Sequence, residues 1–554
     1  MSAVREAPQT VPKLCGADVE LGNFIAGVER PAGTGREASR ALLRALASVT
    51  PVVGAVPDAP SRPLNRMDWA RLHLPANGGC AYLDLDHLEL CLPEVTSAHD
   101  HVAAWHAMLR LAQAALRAAN AERPADRRIE ALVNNSDGRG NSYGGHLNLL
   151  LTRAAWDNLI ERKPHHLAYL AAFQASSLLY TGQGKVGREN GAPPARYQLS
   201  QRADFIEMLI GPQTTCRRPL VNSRDEPLAG GPLARLHVIS FDSTLCQGAS
   251  LLRVGVLQLI LAMLEAGAAE LRLALDDPLA ALTAWSRDPL LETRADLLDG
   301  RAVTAVELQL GFLENARRFG ERGGFDGVVP RAGDILALWE DTLELLSRRE
   351  WSSLTRRLDW VLKLAMLERA LRQRPELDWE SPELKYLDQL YASLDPGTGL
   401  YWAWERAGLV DALVPEERIR QLGEEPPQDT RAWGRAMLLR AGGQAVDRVD
   451  WDYVRFRLQE RSRTPYRRVS LPDPLGATRA DFAPALAEAD TLEELLQSLG
   501  AAPEPTPPEY LRAKPSHAPL EAGCWWSELS GAHAIVRRKG PGAGETSTNG
   551  EEDE

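Results

Sequence analysis

The stretch that most limits what this chain can become is NGGCAYLDLDHLELCLPEV, residues 77–95. It sets Asp84, Asp86, His87, Glu89 and Glu94 into an otherwise apolar, strand-like run. Side chains alternate sides in an extended segment, so Tyr82, Asp84 and Asp86 share one face, and a turn near His87 is required to bring Glu89 into the same pocket. Carboxylates held close together repel one another, and a divalent cation that prefers oxygen ligands, Mg2+ or Ca2+, is the simplest means of holding them. An exposed edge strand with solvated charges accounts for the same residues. On these residues alone both readings stand.

The rest of the chain bounds the setting. With 554 residues it exceeds one ordinary core, so one large domain and at least one smaller one are expected. A net charge of -12 argues against a surface that coats nucleic acid. Cys15, Cys80, Cys91, Cys216, Cys246 and Cys524 show no CxxC pairing, which fits neither a disulfide framework nor a zinc site, and reduced thiols are expected. The first residues lack the apolar core of a signal peptide, and no run is read as approaching the roughly 20 apolar residues of a membrane helix. A cytoplasmic protein without membrane or nucleic-acid partners follows. The closing GETSTNGEEDE reads as a disordered acidic tail.

Taken in order, 1–13 reads as a flexible start and 14–24 as a strand in which Asp18 and Glu20 point the same way. A helix is expected over 37–48, a Pro-rich loop over 51–63, and a long helix over 97–121. Residues 130–151, EALVNNSDGRGNSYGGHLNLLL, have the grammar of a hairpin with a Gly- and Asn-rich turn that lets backbone N–H groups approach a phosphate or a neighbouring strand. No Walker loop is present, and GQGKVG at 182–187 is too short for a dinucleotide fingerprint. Between 197 and 242, Arg202, Arg224 and Arg235 alternate with carboxylates, a pattern suited to phosphate because guanidinium forks match its oxygens; salt-bridged sheet edges are the competing account. His237, between Leu236 and Val238, reads as a core histidine on its own. Helices are expected at 250–266, 303–318, 332–348, 352–372 and 381–393, and 449–458 reads as a strand of a smaller carboxy-terminal unit.

The blocks GADVELG, NGGCAYLDLDHLELCLPE, NNSDGRGNSYGGHLNLL, YQLSQRADFIE, NSRDEP, RLHVISFD, LDWVLK, PPQDTR and VDW stand in one order over roughly residues 14–485. Through them the chain resembles the Pup ligase and Pup deamidase/depupylase family of the proteasome-linked pupylation system. The resemblance implies an α+β fold of the glutamine synthetase-like carboxylate-amine ligase type. In that fold a bent antiparallel sheet carries helices on its outer face, and a small carboxy-terminal domain follows. It implies ATP and Mg2+ as cofactors, Pup and its protein targets as partners, and a link to the bacterial proteasome. The expected division is 1–13, a catalytic domain at 14–420, a small domain at 421–490, and an extension with the tail at 491–554.

Carried over position by position, Asp84 falls on the catalytic aspartate, Asp18, Tyr82 and Glu89 on Mg2+-contacting positions, and Trp451 on a nucleotide-contacting position. Glu20, His146 and His237 join the metal candidates, and Arg202, Arg224 and Arg235 are assigned to phosphate by their charge chemistry. The chain departs from the family at Cys80, where Arg is usual, and at Leu92, where Thr or Ser is. It departs again at Leu147 in the HEN triplet, at Leu228 ending RDEPH, at Thr244 and Gln247, and at Asp18 in place of Glu. The spacing of DLDHLE, the GQGKVG turn and the QLSQRADFIE block favour the deamidase/depupylase branch. A Pup ligase and a divergent homologue that binds a peptide tail without turnover are the alternatives.

Overall fold

The computed structural model describes residues 10–54, 56, 71–458 and 464–505. Cys524, the acidic tail and most of the Pro-rich loop lie outside them. The site rests on a seven-stranded antiparallel sheet formed by β1 (Cys15–Ile25), β2 (Leu72–His73), β3 (Cys80–Asp84), β4 (His87–Cys91), β5 (Ile129–Leu132), β6 (Gly145–Thr152) and β7 (Leu233–Val238). The order is β7-β6-β1-β4-β3-β2, with β5 also paired to β1.

Alternation along β1 decides the two faces of this sheet. Ala17, Val19 and Leu21 are buried in the main apolar core with Leu88 and Leu90 of β4, while Asp18 and Glu20 face the other way. The core face is covered by helices α1 (Gly35–Val49) and α2 (Ala98–Asn120), which also pack on each other. Ser97 caps α2 by accepting from the Asp100 N–H at 3.0 Å. Helix α3 (Gln247–Glu265) is long and apolar enough to cross a membrane, contrary to the expectation that no run would be, and it is wholly enclosed by the protein. A helix apolar on every side is what the centre of a large core requires.

Several expected elements differ in the structure. Residues 129–132 and 145–152 do not form a hairpin with each other: β5 pairs with β1 at Gly22–Ile25 and β6 with β1 at Cys15–Val19, so the two lie end to end along one edge of β1. The intervening loop is held by side chains instead, with Asn134 Nδ2 donating to Ser136 O at 2.8 Å and the Tyr143 hydroxyl to Asn134 Oδ1 at 2.6 Å. The helix expected over 352–372 is two helices, Trp351–Leu354 and Asp359–Gln373, because Asp359 accepts backbone hydrogens from Leu245 and Cys246 and so ties the second helix to another loop. At the start, residues 10–13 are ordered: Lys13 is completely buried and paired with Glu265, which also accepts from the Val11 N–H at 3.0 Å.

The carboxy-terminal unit has its own apolar cluster, running from Trp433 through Val454 and Phe456 to Leu496. Helix Arg431–Gly442 packs there on a four-stranded antiparallel sheet made by Val446–Asp450, Tyr453–Arg457, Tyr466–Ser470 and Ala502–Glu504. Residue 490 therefore falls inside this unit rather than at its end, and Glu416–Glu424 packs on α2 of the large part. The single strand expected over 449–458 is two strands, and Trp451 sits on the turn between them.

Candidate functional site

The polar face of the sheet forms the floor of a cleft of about 250 Å³. Register builds it in cross-strand rows. One row runs Cys80, Cys91, Asp18, His146 across β3, β4, β1 and β6; the next runs Tyr82, Glu89, Glu20 across β3, β4 and β1. Asp84 follows Tyr82 on the same face of β3, at the end of a two-residue turn formed by Leu85 and Asp86. The turn expected near His87 is thus present, and it places Glu89 directly opposite Tyr82. Asp86 points out of the site and pairs with Arg36 on the surface.

Glu20, Asp84 and Glu89 each offer a carboxylate oxygen, and these oxygens lie within 4.8 Å of one another. Burial, then the charges of Asp18, Glu20 and Asp84, push the Glu89 carboxyl well above its usual range. Burial and then Glu20 raise that of Asp84. Burial likewise pushes the Tyr82 phenol well above its usual pKa. Three oxygens that resist joint ionisation form the donor set a hard divalent cation relieves, so these residues fit such an ion.

Asp18 is engaged differently. His146 Nδ1 stands 2.9 Å from its Oδ1, and Asn148 Nδ2 donates to Oδ2 at 3.3 Å. Burial raises the Asp18 carboxyl, but His146 and then His237 and Arg235 outweigh it and hold it below its usual range. His146 Nε2 also reaches Glu20 at 3.9 Å, and the His146 and His237 rings meet edge to face at 5.1 Å. His237 Nδ1 and Arg235 both bond Asn148 Oδ1, at 2.8 and 2.6 Å. The two histidines therefore sit in the cleft wall beside the carboxylate cluster, and His237 is not the core residue its sequence neighbours suggested.

Arg224 and Arg235 line the same cleft and share Glu226, at 2.8 and 3.5 Å. Arg202 is placed elsewhere: it is buried and donates to the Tyr143 carbonyl at 2.5 Å, holding the 134–143 loop. Trp451 lines the cleft from the small unit.

What fixes Trp451 is a set that the sequence did not single out. Glu94, just past β4, is buried between Arg431 and Arg435. Arg435 lies 4.7 Å from the Trp451 ring centre and donates to its carbonyl at 3.2 Å, while Arg431 donates to the carbonyls of Leu228 and Leu471. Burial works against the Glu94 carboxylate, but Arg435 and Arg431 outweigh it and hold the carboxyl down at about 2. Arg71 was also missed. Its guanidinium lies 4.5 Å over the Tyr82 ring, and its Nε has no hydrogen-bond partner among the described residues. Glu94 and its two arginines lie far apart in the chain, so no local pattern carries them.

A depupylase from Acidothermus cellulolyticus is 38% identical over 426 residues, covering 76% of this chain and 82% of the relative. A crystal structure of the complex between the prokaryotic ubiquitin-like protein Pup and its ligase PafA superposes with a TM-score of 0.72 at 24% identity, over 90% of this chain and 94% of that one. The Pup ligase PafA in complex with ADP gives 0.66 at 27% identity, over 78% and 90%. The family described as Pup-ligase protein matches residues 41–455, a span that takes in the β3-β4 hairpin, the cleft arginines and the tryptophan of the small unit, and the chain is a member of that family.

Proposed function

We propose that this chain is a nucleotide- and Mg2+-dependent amide hydrolase of the pupylation system. It removes the side-chain amide of a carboxy-terminal glutamine of Pup, or cleaves the isopeptide bond between Pup and a target lysine, in the cytoplasm and alongside the bacterial proteasome. The observation that carries this is the Glu20, Asp84, Glu89 cluster in a cleft that Arg224, Arg235 and Trp451 also line. The 38% identity to a depupylase supports the hydrolase branch, and the ADP complex of a related ligase supports nucleotide in the cleft.

Glu20 and Glu89, with Tyr82 and Asp18 beside them, would hold Mg2+, which when bound neutralises phosphate charge. Trp451 offers an aromatic face to a base, backed by Arg435. Arg224 and Arg235 offer forks to phosphate or to a substrate carboxylate. Asp84 is the residue that acts on the amide, adding to the carbonyl carbon or taking a proton from the water that does. Its raised pKa strengthens it as a base near neutral pH relative to an ordinary carboxylate.

The test is a mass-spectrometric assay of Pup ending in glutamine and of a Pup–lysine isopeptide conjugate, with ATP and Mg2+. Release of ammonia or of the free lysine protein is expected. Conjugation of Pup to lysine without cleavage would assign the ligase branch, and bound peptide with no turnover would assign a binding homologue.

A further inference from the structure

Cys80 and Cys91 are direct cross-strand partners on β3 and β4. Opposed residues of an antiparallel pair put their side chains on one face with Cα atoms about 4.5–5.5 Å apart, inside the roughly 4.4–6.8 Å that a disulfide spans. Here that face is the cleft: Cys91 lines it, and Cys80 lies in register with Tyr82 and Asp84. The Cys91 thiol lies 3.9 Å from Glu89 Oε1 and donates to it. Both side chains are free and both are buried, so bulky reagents are excluded while a small oxidant entering the cleft meets Cys91 first.

We propose that Cys80 and Cys91 form a reversible disulfide in the wall of the cleft, a modification site that responds to peroxide and alters what the cleft binds. One sulfur of the pair attacks one oxygen of hydrogen peroxide; the O–O bond breaks, a sulfenic acid forms, and the departing hydroxide leaves as water with that thiol's proton. The other sulfur then attacks the sulfenic sulfur; the S–O bond breaks, the S–S bond forms, and the second hydroxide leaves as water with the remaining thiol proton. Two thiols are oxidised by two electrons and one peroxide is reduced to two waters. The disulfide draws Cys91 toward β3 and removes the thiol that donates to Glu89, so the carboxylate cluster loses that hydrogen bond. That loss corresponds to about a tenfold weakening of metal-dependent nucleotide binding. This effect rests on the proposed nucleotide site; the cross-link itself does not.

The full-length protein is treated with a small molar excess of hydrogen peroxide, excess oxidant is removed, and free thiols are blocked. Peptide mapping without reductant then locates any cross-link. The expected product joins the peptides of Cys80 and Cys91, and dithiothreitol reverses it. Cys80→Ser and Cys91→Ser each abolish that product. Separate sulfinic or sulfonic acids at the two positions, or a cross-link that forms only after denaturation, overturn the site. Titration of ATP with Mg2+ into reduced, oxidised and re-reduced protein reads the consequence: about tenfold weaker binding that recovers on reduction supports the coupling, and equal affinities overturn it. Absence of binding in the reduced protein would instead overturn the nucleotide reading, with the mapped cross-link still deciding the site.

Discussion

Glu94→Gln removes the charge that holds Arg431 and Arg435 together beneath Trp451. The magnitude follows from the carboxyl itself. Its displacement from the usual 4.5 to about 2 corresponds to about 3 kcal/mol of folding stability at neutral pH. Breaking a buried ion pair from one side costs about 3–5 kcal/mol by an independent route, because the two guanidinium groups are left buried without their anion. A depressed carboxyl contributes fully above its unfolded value of 4.5, and the contribution is lost as pH falls through about 2. Urea unfolding followed by tryptophan fluorescence is therefore expected to show Glu94→Gln about 3 kcal/mol less stable at pH 7, with the gap closing toward low pH as the wild-type carboxyl takes up its proton. Nucleotide binding should weaken with it, since Arg435 backs the Trp451 ring. A variant within about 1 kcal/mol of wild type at pH 7, or a gap that widens on acidification, would refute the reasoning.

Four further outcomes follow from the same geometry. Asp84→Asn abolishes amide cleavage while leaving the unfolding midpoint near wild type, because it removes one of three repelling charges and no packing; residual cleavage above about 1% of wild type would remove Asp84 from the chemistry. Trp451→Ala weakens ATP by about tenfold and the Pup tail much less, and the reverse order in calorimetry would dismiss the aromatic platform. Added Mg2+ raises the thermal midpoint of the wild type and not that of Glu20→Gln with Glu89→Gln, whereas equal shifts would place the ion elsewhere. Leu85→Gly stabilises the fold by about 1 kcal/mol, because Leu85 sits at a φ of 49° with 64% of its surface exposed; a loss of stability would mean that the leucine side chain supports the turn.

How much of this could be read from the sequence depended on the range of the interaction. Alternation is local, so the pointing of Asp18 and Glu20 and the sharing of a face by Tyr82 and Asp84 were legible, and so was the need for a turn to bring Glu89 back. Pairing is not local. The apolar runs around 130 and 150 have hairpin grammar, yet both lie along β1, because an extended eleven-residue strand offers a longer apolar edge than either offers the other. The arginines between 197 and 242 were alike in composition, but only the fold separates Arg224 and Arg235 in the cleft from Arg202 behind it. Glu94 looked like one acid among several in the focal stretch. Its partners lie more than 300 residues away, and no spacing rule reaches them.

The segment 77–95 therefore does three things, most of them from one strand and its exit. Glu89 completes the carboxylate cluster, Cys91 forms the thiol pair with Cys80, and Glu94 ties the sheet to the unit that carries Trp451. All of this polar and partly repulsive chemistry faces one side, while Leu88 and Leu90 are fully buried on the other. Burying such a leucine contributes about 2 kcal/mol, so the apolar face offsets the cost of holding Glu20, Asp84 and Glu89 together before any cation arrives. Register is what couples the two faces: a one-residue slip of β4 against β1 would turn its leucines into the cleft and Glu89 into the core. The active face of this sheet is in that sense specified by its inactive one.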